Sequence, residues 1–72
     1  MNDSVETILS RAERHVAEGE QLVARQLALI ETLDGEHHPE MALRAQKLLL
    51  LLQSSLDLMR RHLEIERERA KG

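Results

Sequence analysis

The 72-residue chain has no Phe, Tyr or Trp, no Cys, one Pro and three Gly. The lack of cysteine excludes a disulfide scaffold and a Cys-based zinc site, and the lack of aromatics removes the platforms on which nucleic-acid bases stack. Gly19, Gly35 and Gly72 stand alone, so there is neither a collagen repeat nor a phosphate-cradling glycine loop. No sign of charge dominates: 10 Lys and Arg face 13 Asp and Glu, a net charge of −3, with both signs interleaved along the chain. That balance gives no long-range pull on nucleic acid or an anionic membrane surface. The longest apolar run, Leu48 to Leu52, is bounded by Lys47 and Gln53, far short of the roughly 20 residues that cross a bilayer. Met1 to Ser10 carries Asp3 and Glu6 but no Lys or Arg, so it lacks the basic start of a secretory signal, and a cytoplasmic protein is expected.

What is present is an Ala, Leu, Glu and Arg composition typical of helices, in a chain long enough for one domain at most. Its single punctuation mark is Asp34-Gly35-Glu36-His37-His38-Pro39. Gly35 suits the left-handed conformation that ends a helix, and Pro39 suits the first position of the next, where its missing N–H has no partner to lose. The expected elements are a helix from about residue 4 to 34, a loop over 35–38 and a helix from about 39 to 69. Asp3 and Glu6 form a variant capping box at the start, and the polar end from Glu64 to Gly72 frays. Two equal helices joined by a short loop make an antiparallel hairpin, so the fold class is all-α.

On the first helix Val5, Ile8, Leu9, Ala12, Val16, Leu22, Val23, Leu29, Ile30 and Leu33 fall on one face at about 100° per residue. His15, Gly19 and Gln26 interrupt that stripe. A mid-helix glycine costs roughly 1 kcal/mol against alanine, so Gly19 reads as a place where another backbone comes close, level with Ser55. On the second helix Ala42, Ala45, Leu49, Leu52, Leu56, Met59 and Leu63 alternate three and four apart, a packing seam. The expected hairpin core is therefore Leu9, Ala12, Val16, Gly19, Val23 and Ile30 against Leu49, Leu52, Leu56, Met59 and Leu63. A second line, Leu51, Leu58 and Ile65, lies more than 100° away, with Leu48, Ser55 and His62 between the two. A two-helix hairpin can cover only one of these faces. The other, Leu48, Leu51, Ser55, Leu58, His62 and Ile65, is the expected oligomer interface, and a homodimeric antiparallel four-helix bundle is the smallest assembly that buries both. Ala12 and Gly19 leave room for a higher homo-oligomer.

The run His15-Val16-Ala17-Glu18-Gly19-Glu20, followed by Val23-Ala24-Arg25-Gln26, Leu33, Gly35, His37, Ala45, Leu48-Leu49, Ser55-Leu56 and Met59-Arg60-Arg61-His62, resembles a set of short, uncharacterised alphaproteobacterial helical-hairpin proteins. The resemblance covers about residues 11 to 63. It implies the hairpin and no particular activity. Those proteins read Gly-His then Asp or Thr at the loop, where a short polar side chain caps the second helix. In Gly35-Glu36-His37-His38-Pro39 that cap falls to His38 or Glu36.

No catalytic constellation is apparent. Ser4, Ser10, Ser54 and Ser55 have no His and acid arranged around them, and Glu64, Glu66 and Glu68, matched by Arg67 and Arg69, read as a solubilising charge network. Arg11, Arg25 and Lys47 could hold a carboxylate substrate in the manner of a helical chorismate mutase, but the enclosing third helix is missing, so no enzyme is expected. His37 and His38 point apart in the loop and make poor joint ligands. His15 and His62 lie near one level and could bind a metal or lose packing on protonation, yet no acid or cysteine stands beside both, and no metal or cofactor is expected. The expected role is that of a small structural or adaptor protein acting through self-association or a helical protein partner. The alternative is a Rop-like RNA-binding regulator using Arg11, Arg14 and Arg25. That analogy rests on fold alone, and the net negative charge, the interspersed Glu18 and the missing aromatics count against it.

Overall fold

A computed structural model describes residues 7–72. Two helices account for nearly all of it: α1, Ile8–Gly35, and α2, Pro39–Ala70. They lie side by side as a hairpin with Cα extents of 52 × 26 × 12 Å, one helix layer thick. The expected capping box at Asp3 and Glu6 lies outside the described residues, as does Val5. Within them Thr7 is the N-cap of α1, its Oγ1 accepting the Ser10 backbone N–H at 3.0 Å. That bond satisfies one of the N–H groups that the first turn of a helix leaves without a partner.

The loop is shorter than expected, and its left-handed residue is not the glycine. Gly35 is the last residue of α1, and His37 takes the positive φ of 60°. The hydrogen bonds explain the position. His38 N–H donates to the Leu33 carbonyl at 2.9 Å and His37 N–H to the Asp34 carbonyl at 3.2 Å, a Schellman pair that requires the left-handed turn two residues beyond Gly35. Neither His38 nor Glu36 caps α2 through its side chain. His38 occupies the N-cap position with no side-chain cap bond, its carbonyl accepts from Ala42 N–H at 2.9 Å, and Pro39 at the first position removes a donor that would need one. The glycine and the left-handed site are thus two positions out of register. A Cβ on Gly35 would meet nothing within 4 Å, so Gly35→Ala is expected to raise stability by about 0.5–1 kcal/mol through helix propensity, and His37→Gly by a similar amount through relief of the left-handed backbone. Denaturant titration of the two variants checks this; a loss of stability from Gly35→Ala would show that α1 ends earlier.

Two lines of residues carry the packing. Leu9, Ala12, Val16, Gly19, Val23, Gln26, Ile30 and Leu33 on α1 meet Ala42, Ala45, Leu49, Leu52, Leu56, Met59, Leu63 and Glu66 on α2. With Ser10 beside the cap, these are all the described residues that are buried or half-buried. Both lines alternate three and four apart, the spacing that keeps a seam facing its partner along two helices crossing at a shallow angle. Near the loop Ile30, Leu33, Ala42 and Ala45 form a cluster of buried side chains, with Leu49 packed on it.

Three expectations about this seam need correction. Ile8, Leu22 and Leu29 are not in it; they are 62%, 47% and 46% exposed, because the hairpin rolls so that Gly19 and Gln26 face α2. Gly19 does not face Ser55. A Cβ there would lie 3.1 Å from Leu56 Cδ1 and 3.2 Å from Met59 Sδ, so the glycine makes room for two large side chains while Ser55, about 100° round the helix from Leu56, is exposed. The third concerns the charged end of α2, which runs to Ala70. Glu66 is buried on the seam, not part of a wholly solvated network, and its Oε2 accepts from Arg69 Nη1 at 3.1 Å.

Candidate interaction surface

The seam divides the hairpin into two faces of opposite character. In an antiparallel pair the residues one step before the two seam lines flank it on one side, and those one step after flank it on the other. On the side after it, α1 presents Glu13, Glu20, Leu27 and Asp34, and α2 presents Gln46, Gln53, Arg60 and Arg67. The Arg60 guanidinium bridges that side, 3.2 Å from Glu20 of α1 and 3.9 Å from Asp57. On the side before it stand Ile8, His15, Leu22 and Leu29 of α1 beside Met41, Leu48, Ser55 and His62 of α2. Leu29, Met41 and Leu48 together line a shallow groove there, with Gln26, Leu33, Arg44 and Ala45.

Beyond Met41 and Leu48 the apolar face continues round α2 to Leu51, Leu58 and Ile65, exposed by 67%, 63% and 50%. All six residues expected at an oligomer interface, Leu48, Leu51, Ser55, Leu58, His62 and Ile65, are exposed on this face. The α1 contribution, Leu22 and Leu29, was missed because on α1 alone those leucines read as core. The roll of α2 against the Gly19 and Gln26 edge moves them out. Their signal is the deficit itself, since a seam built from Ala12, Gly19 and Gln26 is too small to be the only apolar face of a helix with five leucines and two valines to place.

Gln26 is the polar group at the centre. Its Nε2 donates to the Ala45 carbonyl at 2.8 Å, a buried bond between the helices, and among the described residues no buried side-chain nitrogen or oxygen lacks a partner. A helix-interior carbonyl already accepts one backbone N–H, so Gln26 takes its second lone pair. The requirement for that carbonyl favours one register of α1 on α2, which leucine at the same place would not.

The residues weighed for other chemistry are dispersed. Arg11, Arg14 and Arg25 are exposed on α1, with Glu18 among them at 3.9 Å from the Arg14 Nε. His15 and His62 are both exposed on the apolar face, and His62 Nε2 stands 4.0 Å from Glu66. His38 lies 3.9 Å from Glu36 in the loop. No three His, Asp or Glu among the described residues are placed to hold a metal ion, and no helix among them is long and apolar enough to cross a membrane. No protein-family model, curated protein or solved structure matches the chain.

Proposed function

We propose that this chain is a structural or adaptor module that works by helix packing, and that two copies assemble through the apolar face into an antiparallel four-helix bundle. One observation carries the reading: Leu22, Leu29, Met41, Leu48, Leu51, Leu58 and Ile65 are all exposed on a single face of the hairpin, while the opposite face carries the Glu20–Arg60 bridge. The hairpin's 52 × 26 Å outline leaves room for the roughly 800 Å² per partner that stable complexes bury, and exposed apolar side chains gathered on one face are the usual mark of an interaction site. Stability argues in the same direction. Among the described residues no large side chain is completely enclosed, and for chains this short area burial and ordering entropy nearly cancel. A second layer of helices supplies the missing enclosure.

Light scattering is expected to give twice the 8.3 kDa chain mass at micromolar concentration. Because unfolding then releases two chains, a hundredfold dilution should lower the thermal midpoint by about 5–10 °C. A folded monomer with a concentration-independent midpoint would overturn the proposal.

A further inference from the structure

We propose that the partner copy is seated with its α2 on this α2 and its α1 on this α1, the orientation being selected by Arg25 meeting Glu18 of the partner subunit. This rests on the assembly proposed above and adds the arrangement of its two layers. Face-to-face packing of two antiparallel hairpins about a two-fold axis has two solutions in which all neighbours run antiparallel. With the axis across the helices each helix lies on its own copy; with the axis along them α1 lies on α2.

The outer edges of the apolar face decide between the two. On α2 that edge is Leu51, Leu58 and Ile65; on α1 the corresponding edge is Arg11, Glu18, Arg25 and Thr32, all exposed. Stacking α1 on α2 would set the leucine edge against the Arg and Glu edge on both sides of the bundle, leaving charged groups over apolar ones. Stacking like on like places Leu51 against Leu58 of the partner subunit and Arg25 against Glu18 of the partner subunit.

One axis serves both edges. Gly19 packs on Leu56 and Met59, and Gln26 bonds to Ala45, so the stretch from Glu18 to Arg25 runs level with the stretch from Leu51 to Leu58. A two-fold axis midway along one is midway along the other. Arg25 has no ion-pair partner within its own chain among the described residues, which leaves its guanidinium available to a carboxylate from outside.

The chain has no cysteine, so single cysteines report the arrangement directly. Ser55 is exposed and central on α2, and Ser55→Cys leaves the hairpin core untouched. Under oxidised glutathione Ser55→Cys is expected to form a disulfide-linked dimer with itself, and to give no mixed product with an affinity-tagged Leu22→Cys chain. A mixed Ser55→Cys and Leu22→Cys product from a protein of dimeric mass would overturn the arrangement while leaving the dimer standing. A monomeric mass would overturn both. Independently, Glu18→Arg should weaken association roughly tenfold, as expected for two exposed ion pairs turned repulsive, and adding Arg25→Glu should restore it. Failure of that second change to restore the affinity would also defeat the proposal.

Discussion

Leu51→Glu is expected to reduce the proposed dimer to single chains at micromolar concentration, and Leu50→Glu to leave it intact. The two leucines are neighbours of identical chemistry and nearly identical exposure in the hairpin, 67% and 64%. Contacts within one chain therefore predict the same outcome for both, and any difference belongs to what covers them. A step of about 100° separates them: Leu51 joins Leu58 and Ile65 on the apolar face, while Leu50 is aligned with Asp57 on the far side of α2. An unpaired carboxylate enclosed between apolar layers costs several kcal/mol, and a two-fold assembly incurs that cost twice, so the dissociation constant should rise by at least about a hundredfold. Light scattering of the two variants checks it. Equal masses would mean that the face through Leu51 is not the one the partner covers.

The second large effect is expected at Gly19. Even the first carbon of a side chain there would lie 3.1 Å from Leu56 Cδ1 and 3.2 Å from Met59 Sδ, and Gly19→Leu adds three more carbons between the helices. Replacing a mid-helix glycine gains about 0.8 kcal/mol of helix propensity, but overpacking a close contact costs about 1–3 kcal/mol or more, and a single-layer hairpin has little reserve. A net loss of about 2 kcal/mol is expected. The compensating change is Leu56→Ala, which alone should cost about 2–5 kcal/mol by opening a cavity. Combined, the incoming leucine occupies the space the other vacates, so the double variant should be more stable than the sum of the single losses by over about 1 kcal/mol. Urea titration of all four proteins decides it. Strict additivity would mean that Gly19 and Leu56 are not in contact.

The parts of this fold that the sequence discloses are those that depend on one helix at a time. The seam from Ala42 to Leu63 is visible because its spacing alternates three and four, and Pro39 marks the start of α2 because no other position of a helix tolerates proline as well. What escapes is settled between helices. On α1 the arc holding Leu22, Val23, Leu29 and Ile30 is apolar throughout, and nothing in α1 says which edge of it faces α2; a buried Gln26 and Gly19 take that edge because Ala45 offers a carbonyl and Leu56 needs space. Glu66 stands at the correct interval after Leu63, yet its charge argues for water until Arg69 is seen beside it. The left-handed residue goes to His37 in place of Gly35 because the carbonyls of Leu33 and Asp34 require a donor there. A glycine nearby does not move that requirement.

The three-residue link between the helices gives the hairpin a direction. Leu33 and Ala42 are nine positions apart in the chain, whereas Leu9 and Glu66, near its open end, are separated by 57. Closing the first pair restricts far less of the chain than closing the last, and the compact cluster of Ile30, Leu33, Ala42 and Ala45 lies at that near end. Assembly of the single chain is thus a zipper started at the loop, each further pair along the seam brought close by the one before it, and its unravelling runs the other way, beginning where Ile8 and Ala70 lie.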